Sequence, residues 1–148
     1  MKKFQRRCQT FEKIADIAAV NCWRDMHLVG VNPNSKWRNA SDKKILAQIR
    51  IRNRSNDGYA YPTFRQPTDC KTGFYNVLKK IWLDSCIGGI TTKNLCFVLS
   101  AKSLSQTLRR LEGAKLICRD ESGNSIKWKV SELGNAYLNA LWKEFIVD

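Results

Sequence analysis

Apolar residues recur at three- and four-residue steps near the start of the chain. Such spacing places side chains on one face of an amphipathic helix. The stripe consists of Phe11, Ile14, Ala15, Ala18, Cys22 and Met26. We therefore predict a first helix that follows Thr10 as its N-cap and ends before Gly30 and Pro33.

A second helix is predicted after Ser41 or Asp42, because both residue types are good N-caps. Its apolar face would consist of Ile45, Leu46 and Ile49. The alternation of Arg50, Arg52 and Arg54 also fits an extended chain. The secondary structure at this end of the segment therefore stays open.

Residues 53–70 form a predicted long loop, because they lack helical periodicity and contain two prolines and a glycine. The loop carries three aromatic residues, Tyr59, Tyr61 and Phe64. Aromatic side chains beside arginines can stack on nucleic-acid bases, and they can equally pin a loop onto the core. Both interpretations stay open.

The second half of the chain begins with a predicted helix over residues 73–84, which the glycines at 88 and 89 terminate. A short strand is predicted at Ile90. Thr91 or Thr92 would then cap a short helix. The apolar residues of that helix are Leu95, Cys96 and Leu99.

A longer helix is predicted over residues 101–113, with Ser100 as its N-cap. Its apolar face consists of Leu104, Leu108 and Leu111. The opposite face carries Lys102, Gln106 and Arg109, with Ser103 and Arg110 beside them. This helix is predicted to bury one side and expose polar side chains on the other.

A β-hairpin is predicted next, from strands at 115–120 and 125–130 around a turn at 121–124. In its second strand Ile126, Trp128 and Val130 would face the core, and Lys127 and Lys129 would face outward. Ser131 caps a last helix whose wide apolar face is formed by Leu133, Tyr137, Leu138, Leu141, Trp142, Phe145 and Ile146. That face either packs against the helix at 11–26 or forms a homodimer interface.

The order helix, short helix, polar-faced helix, hairpin, helix resembles a winged helix-turn-helix domain. The segment Ser100–Glu112 is similar to the recognition helix of MarR-like and related bacterial winged-helix regulators. The segment Leu116–Arg119 resembles the start of their wing, and Val130–Gly134 resembles the strand end and helix start behind it. The wing tip departs from the pattern, since it holds Asp120 and Glu121 where an arginine is usual.

This resemblance covers residues 73–142 and implies a mainly α (α+β) fold. Residues 71–148 would form a winged helix-turn-helix domain with a two-stranded wing. Residues 1–70 would form a basic, mainly helical N-terminal region that extends the binding surface or packs against that domain.

The amino-acid composition of the chain indicates what kind of molecule it binds. The 148 residues include 26 Lys+Arg and 13 Asp+Glu, which give a formal net charge of +13. Since 43% of the residues are hydrophobic, the chain can bury a core and is not a disordered basic tail. The charge favours a polyanion such as nucleic acid, with a merely solvated basic surface as the alternative. Residues 1–70 carry +8 of the excess, and residues 71–148 carry +5.

Candidate chemistry is sparse. The six cysteines are dispersed and there is one histidine, so neither a zinc site nor a disulfide framework is predicted, and the thiols are expected to be reduced and mostly buried. The chain has no Gly-rich phosphate loop and no hydrolase signature. We therefore expect no enzyme, no cofactor and no metal.

Without a secretory signal or an apolar run of about 18 residues, we expect a soluble cytoplasmic, nucleoid-associated protein with no membrane partner.

The resemblance implies binding of double-stranded DNA, with the helix at 101–113 in the major groove. The side chains expected to contact base edges are Lys102, Ser103, Gln106, Arg109 and Arg110. The residues expected to bind phosphates are Ser100, Lys127, Lys129, Lys36, Arg38, Lys43, Lys44, Arg50, Arg52 and Arg54.

The predicted function is sequence-specific DNA binding by a small transcriptional regulator. The compactness of the chain and its unfamiliar N-terminal half favour a phage- or plasmid-encoded regulator. A replication-initiation or partition factor would use the same surface. A protein–protein or RNA-binding adaptor is the alternative from a different class.

Overall fold

The computed structural model of the chain describes residues 2–28, 39–54, 64, 73–96 and 101–142. Within these residues the fold is mainly helical, with six helices and one small antiparallel sheet of three strands. The helices are α1 (Lys2–Leu28), α2 (Asp42–Arg54), α3 (Gly73–Ser85), α4 (Thr92–Leu95), α5 (Ala101–Gly113) and α6 (Glu132–Leu141). The strands are β1 (Ile90–Thr91), β2 (Ile117–Asp120) and β3 (Lys127–Val130).

Helix α1 is longer than the sequence pattern predicts. It begins at Lys2, so Thr10 lies inside the helix and the prediction of Thr10 as an N-cap is wrong. The predicted apolar stripe is confirmed, because four of its members are buried and Ile14 is half-buried against the core. The buried members are Phe11, Ala15, Ala18 and Cys22. Gly30, Pro33 and the side chain of Met26 lie outside the described residues.

Helix α2 follows Ser41, whose hydroxyl accepts a hydrogen bond from the main-chain N–H of Lys44 (3.3 Å). This bond makes Ser41 the N-cap. Ile45 and Ile49 are buried as predicted. The segment that the sequence left open is helical through Arg54.

The sheet has the order β1-β3-β2. Ile90 in β1 pairs with Trp128 in β3, and Ile117 in β2 pairs with Val130. The predicted hairpin is therefore present, and the short strand predicted at Ile90 is confirmed as β1, which pairs with β3. The inward position predicted for Ile126 is wrong: this side chain is 44% exposed, because β3 begins only at Lys127.

Helix α1 packs against α5 and α6, so the two halves of the chain share one hydrophobic core. The rings of Phe11 in α1 and Tyr137 in α6 lie 5.6 Å apart. Of the two alternatives for the apolar face of the last helix, packing on the first helix is therefore observed in the described residues. Trp142 is 42% exposed, while Phe145 and Ile146 lie outside the described part of the chain.

The loop predicted over residues 53–70 starts too early, because residues 53 and 54 belong to α2. Phe64 is the one residue of positions 55–70 that the structure describes. Its side chain is buried, and its main-chain carbonyl accepts a hydrogen bond from the Tyr137 hydroxyl (3.1 Å). At Phe64 the interpretation as a core anchor is confirmed, whereas Tyr59 and Tyr61 lie outside the described residues.

The expectation that the thiols are mostly buried is wrong for the cysteines whose side chains the structure describes. Cys22 is buried, but Cys86, Cys96 and Cys118 are exposed, and all four are free thiols. Cys86 and Cys96 lie in the turns that end α3 and α4, and Cys118 lies on the outward face of β2. Burial, with a smaller contribution from the nearby Asp25 carboxylate, raises the pKa of the Cys22 thiol to about 11.

Candidate nucleic-acid interface

Helix α5 separates an apolar face from a polar one, as predicted. Leu104, Leu108 and Leu111 are buried in the core. A helix turns about 100° per residue, so positions 102, 106 and 109 fall on the opposite side. The side chains of Lys102, Gln106 and Arg109 are all exposed there. Three of the five predicted base-contacting residues therefore lie on the outer side of α5, and Ser103 and Arg110 are exposed on one flank of it.

Arg110 lies on the flank of α5 that adjoins α1. Its positive charge acts on the Cys22 thiol of α1 and opposes the rise of that pKa. The Asp25 carboxylate of α1 lies against Gly113 at the end of α5, so closely that a Cβ at position 113 would approach it to 2.8 Å. Arg110 is thus positioned beside α1.

The C-terminal end of α5 is fixed by three hydrogen bonds. The N–H of Leu116 donates to the carbonyl of Leu111 (3.0 Å), and the N–H of Lys115 donates to that of Glu112 (2.9 Å). With Lys115 at φ +63°, this is a Schellman termination in which a lysine takes the left-handed position. The side-chain amide of Asn21 in α1 donates to the Ala114 carbonyl (3.2 Å). The α1 helix therefore holds the end of α5.

The hairpin is tied to the helices through Trp128. The indole N–H of Trp128 donates to the Thr92 hydroxyl at the start of α4 (2.9 Å). Thr91 caps α4 by accepting the N–H of Asn94 (3.3 Å). These bonds connect β3, α4 and the adjacent β1 into one unit.

Arg119 lies between the hairpin and α5. It pairs with Trp128 across the β2–β3 ladder, so both side chains lie on the same face of the sheet. Its Nε and Nη2 donate to the two carboxylate oxygens of Glu112 in α5, at 2.7 and 3.1 Å. Its guanidinium carbon lies 5.1 Å from the centre of the Trp128 ring. The resemblance places Arg119 at the start of the predicted wing, but only the strand register shows which face of the sheet it occupies.

Lys127 and Lys129 lie on the other face of the sheet from Arg119, since side chains alternate along a strand. The Lys129 ammonium is 2.8 Å from a carboxylate oxygen of Asp120. Hydrogen bonds from Lys129 and from the Ser122 hydroxyl and N–H hold the pKa of the Asp120 carboxyl well below its usual range. Lys129 is therefore already paired within the hairpin, whereas Lys127 is exposed.

An open groove of about 830 Å³ runs along α5. Three guanidinium groups border it, those of Arg109, Arg110 and Arg119. Its carboxylates are those of Asp25 and Glu112, so the charged side chains along the groove have a net positive charge.

Helix α2 presents a second group of cations. Lys43, Arg50 and Arg54 are exposed, and helical spacing places them on one side, opposite Ile45 and Ile49. Arg52 instead turns toward α1, with its guanidinium carbon 6.0 Å from the centre of the Trp23 ring. Lys44 is exposed on a different side of α2, and Lys36, Arg38 and Ser100 lie outside the described residues.

Arg24 of α1 fixes the start of α2. Its Nη2 donates to the Ala40 carbonyl (2.7 Å) and to the Asp42 carboxylate (2.9 Å). Together with the Trp23–Arg52 contact, these bonds orient the basic side of α2 relative to α1. Helix α1 also holds the end of α5. Helix α2, which carries this basic side, and helix α5, which carries Arg109 and Arg110, are therefore both packed on α1.

No group of three or more His, Cys, Asp or Glu residues in the described ranges could hold a metal ion together. Within the same ranges, no helix is long and apolar enough to cross a membrane. No protein-family model matches the chain, and neither curated proteins nor solved structures show a significant similarity to it.

Proposed function

We propose that this chain is a sequence-specific double-stranded DNA-binding protein of the winged-helix type, acting as a small transcriptional regulator. In this proposal α3, α4 and α5 form the helical part, α5 is the recognition helix, and the β2–β3 hairpin is the wing. The order α3-β1-α4-α5-β2-β3 supports it, because it is the order of elements in winged-helix domains.

The observation that carries the proposal is the exposed polar side of α5. Lys102, Gln106 and Arg109 project from a helix whose opposite face is fully packed, so they are available to a ligand while the helix stays rigid. A single α-helix fits the DNA major groove. Arginine pairs well with the guanine edge there and glutamine with the adenine edge, so Arg109 and Gln106 are the residues we assign to base recognition.

Cations outside α5 would supply affinity that does not depend on sequence. Lys127 of the wing and the side of α2 that carries Lys43, Arg50 and Arg54 are exposed and suited to phosphates. Lys129 is also on the face of the hairpin that carries Lys127 and is ion-paired with Asp120.

A titration of the full chain with a duplex of random sequence, repeated at several salt concentrations, tests this proposal. Binding through roughly six phosphate contacts predicts a log–log slope of affinity against salt near −5. Single-stranded DNA and double-stranded RNA of equal length serve as competitors, and duplex DNA is expected to be the strongest. No binding at low salt would contradict DNA binding altogether.

The same titration separates the alternative classes. Preferential binding of RNA would support an RNA-binding adaptor in place of a DNA-binding regulator. A replication-initiation or partition factor would bind duplex DNA as the proposed regulator does. The transcriptional role therefore needs a reporter assay, in which a DNA sequence that the protein selects from a random pool is placed in a promoter.

A further inference from the structure

We propose that Arg119 is a binding site for a DNA backbone phosphate, located between the β2–β3 hairpin and α5. This inference rests on the proposed DNA binding and adds to it a residue that the sequence pattern does not assign to phosphate or base contact. Three observations carry it. Glu112 and Trp128 hold the guanidinium in place, the guanidinium has N–H donors that are not bonded to Glu112, and Arg119 borders the groove along α5.

The Arg119 guanidinium is held in one orientation before any ligand arrives. Glu112 accepts two parallel hydrogen bonds from it, and Trp128 lies under its plane. The Trp128 ring is itself fixed by the hydrogen bond from its indole N–H to Thr92. A long cationic side chain normally loses conformational entropy when it binds a phosphate. The Arg119 side chain is already restricted in the free protein, so phosphate binding costs less entropy there.

The ion pair does not exhaust the hydrogen-bonding capacity of Arg119. Only Nε and Nη2 donate to Glu112, and a guanidinium carries further N–H donors on its other side. The side chain is 46% exposed, so solvent reaches part of it even with the ion pair formed. A planar donor group of this kind matches the geometry of a phosphate better than an ammonium group does.

The position of Arg119 suits a backbone contact rather than a base contact. Arg119 borders the groove from strand β2, whereas Gln106 and Arg109 border it from α5, the helix assigned to base recognition. When a helix enters a major groove, the phosphates of the flanking strands lie to its sides. One strand would then pass between α5 and the wing, where the guanidiniums of Arg109, Arg110 and Arg119 outnumber the carboxylates of Glu112 and Asp25.

The test compares Arg119→Ala with Lys80→Ala in duplex titrations over a range of salt concentrations. Lys80 is a close match, since its side chain is 45% exposed and pairs with Asp84 at 3.3 Å, but it lies on α3. We expect Arg119→Ala to make the salt slope shallower by about 1 and to weaken binding about fivefold near 0.15 M salt, equally on selected and random duplexes. Lys80→Ala is expected to keep the wild-type slope and affinity.

A third variant, Arg119→Lys, shows whether affinity depends on the oriented guanidinium group or only on the positive charge. It keeps the positive charge and loses the parallel hydrogen bonds, so we expect the wild-type slope with an affinity between those of wild type and Arg119→Ala. Urea unfolding of each variant establishes that the proteins compared are folded at the titration temperature.

The outcomes are distinguishable. If the wild type binds duplex DNA and folded Arg119→Ala behaves as Lys80→Ala does, the phosphate site is wrong and the proposed function stands. Wild-type affinity in Arg119→Lys, with a loss in Arg119→Ala, would contradict the orientation by Glu112 and Trp128. A wild-type protein that fails to bind duplex DNA at low salt overturns the proposed function and this inference together.

Discussion

The α-carbon of Gly134, at the start of α6, lies directly against the main-chain carbonyl oxygen of Leu116, where a Cβ would overlap that oxygen. The same carbonyl accepts a hydrogen bond from the N–H of Ser131 (3.0 Å), the residue that caps α6. The Ser131 hydroxyl also donates to the Lys115 carbonyl. The turn after α5 and the start of α6 therefore approach as closely as a glycine permits.

Gly134→Ala is predicted to destabilise the fold strongly. The added methyl group must displace either the Leu116 backbone or α6, and forced overpacking of this kind costs about 3 kcal/mol. Gly123→Ala in the hairpin turn is the control, since a Cβ there meets no atom within 4 Å and its cost should stay within about 0.5 kcal/mol. Urea midpoints of the two variants measure the difference, and equal midpoints would contradict the close contact.

Lys115→Gly is predicted to stabilise the protein relative to Lys115→Ala. Lys115 has φ +63°, a conformation that costs any residue with a Cβ about 1 kcal/mol more than it costs glycine. Both substitutions remove the same charge, so the difference between them isolates the backbone strain. Thermal or urea unfolding should favour the glycine variant by about 1 kcal/mol. An alanine variant of equal or greater stability would show that position 115 is not strained.

The Asp120–Lys129 ion pair gives the hairpin a predictable dependence on acid. The pKa of the Asp120 carboxyl is lower in the folded protein than in the unfolded chain, where it is about 3.9. The stabilisation is therefore complete only above about pH 5 and is lost as the pH falls toward the lower folded value. Asp120→Asn should be less stable than wild type at pH 7, and the gap between their urea midpoints should narrow below about pH 4.

Glu121→Gln is the control for this pH dependence. Glu121 is exposed next to Asp120 and takes no part in the pair with Lys129. Its urea midpoint should therefore run parallel to that of wild type from neutral to acid pH. A gap between wild type and Asp120→Asn that stays constant down to pH 2 would contradict the role of the ion pair.

The basic side of α2 is predicted to contribute salt-dependent affinity without sequence preference. Replacing Arg50 and Arg54 together by alanine should make the salt slope shallower by about 2, one phosphate contact for each arginine. Lys79 and Lys80 on α3 supply the matched double substitution with the same change in charge. If both double variants lower the slope equally, the effect reflects net charge alone and α2 makes no specific contact.

The sequence predicts most elements of the second half because its signals there are local. The polar and apolar faces of α5, the cap at Ser131 and the alternation that buries Trp128 depend on neighbouring residues only. The same local logic fails at Ile126, because a strand boundary depends on pairing across the sheet. It fails at Thr10 as well, where α1 continues toward the N-terminus beyond the apolar stripe.

The pairings within the candidate interface could not be predicted from the sequence. Glu112 and Arg119 are separated by the turn after α5, and nothing local indicates that their side chains meet. Lys129 looks like an exposed cation until the ladder places it diagonally from Asp120. The contact of Asp25 with Gly113 joins the two halves of the chain and requires the packing of α1 on α5. Charge and periodicity identify candidate residues, whereas tertiary structure decides which of them are already paired.

Selection of binding sites from a pool of random DNA duplexes, performed with the wild type and with Arg109→Ala, tests the central claim most directly. We predict that the wild type enriches one sequence motif, and that Arg109→Ala weakens binding to that motif far more than binding to random duplexes, as loss of a guanine contact worth about 1–3 kcal/mol requires. Failure of the wild type to enrich any motif, or an equal loss on all duplexes in Arg109→Ala, would contradict base recognition by α5.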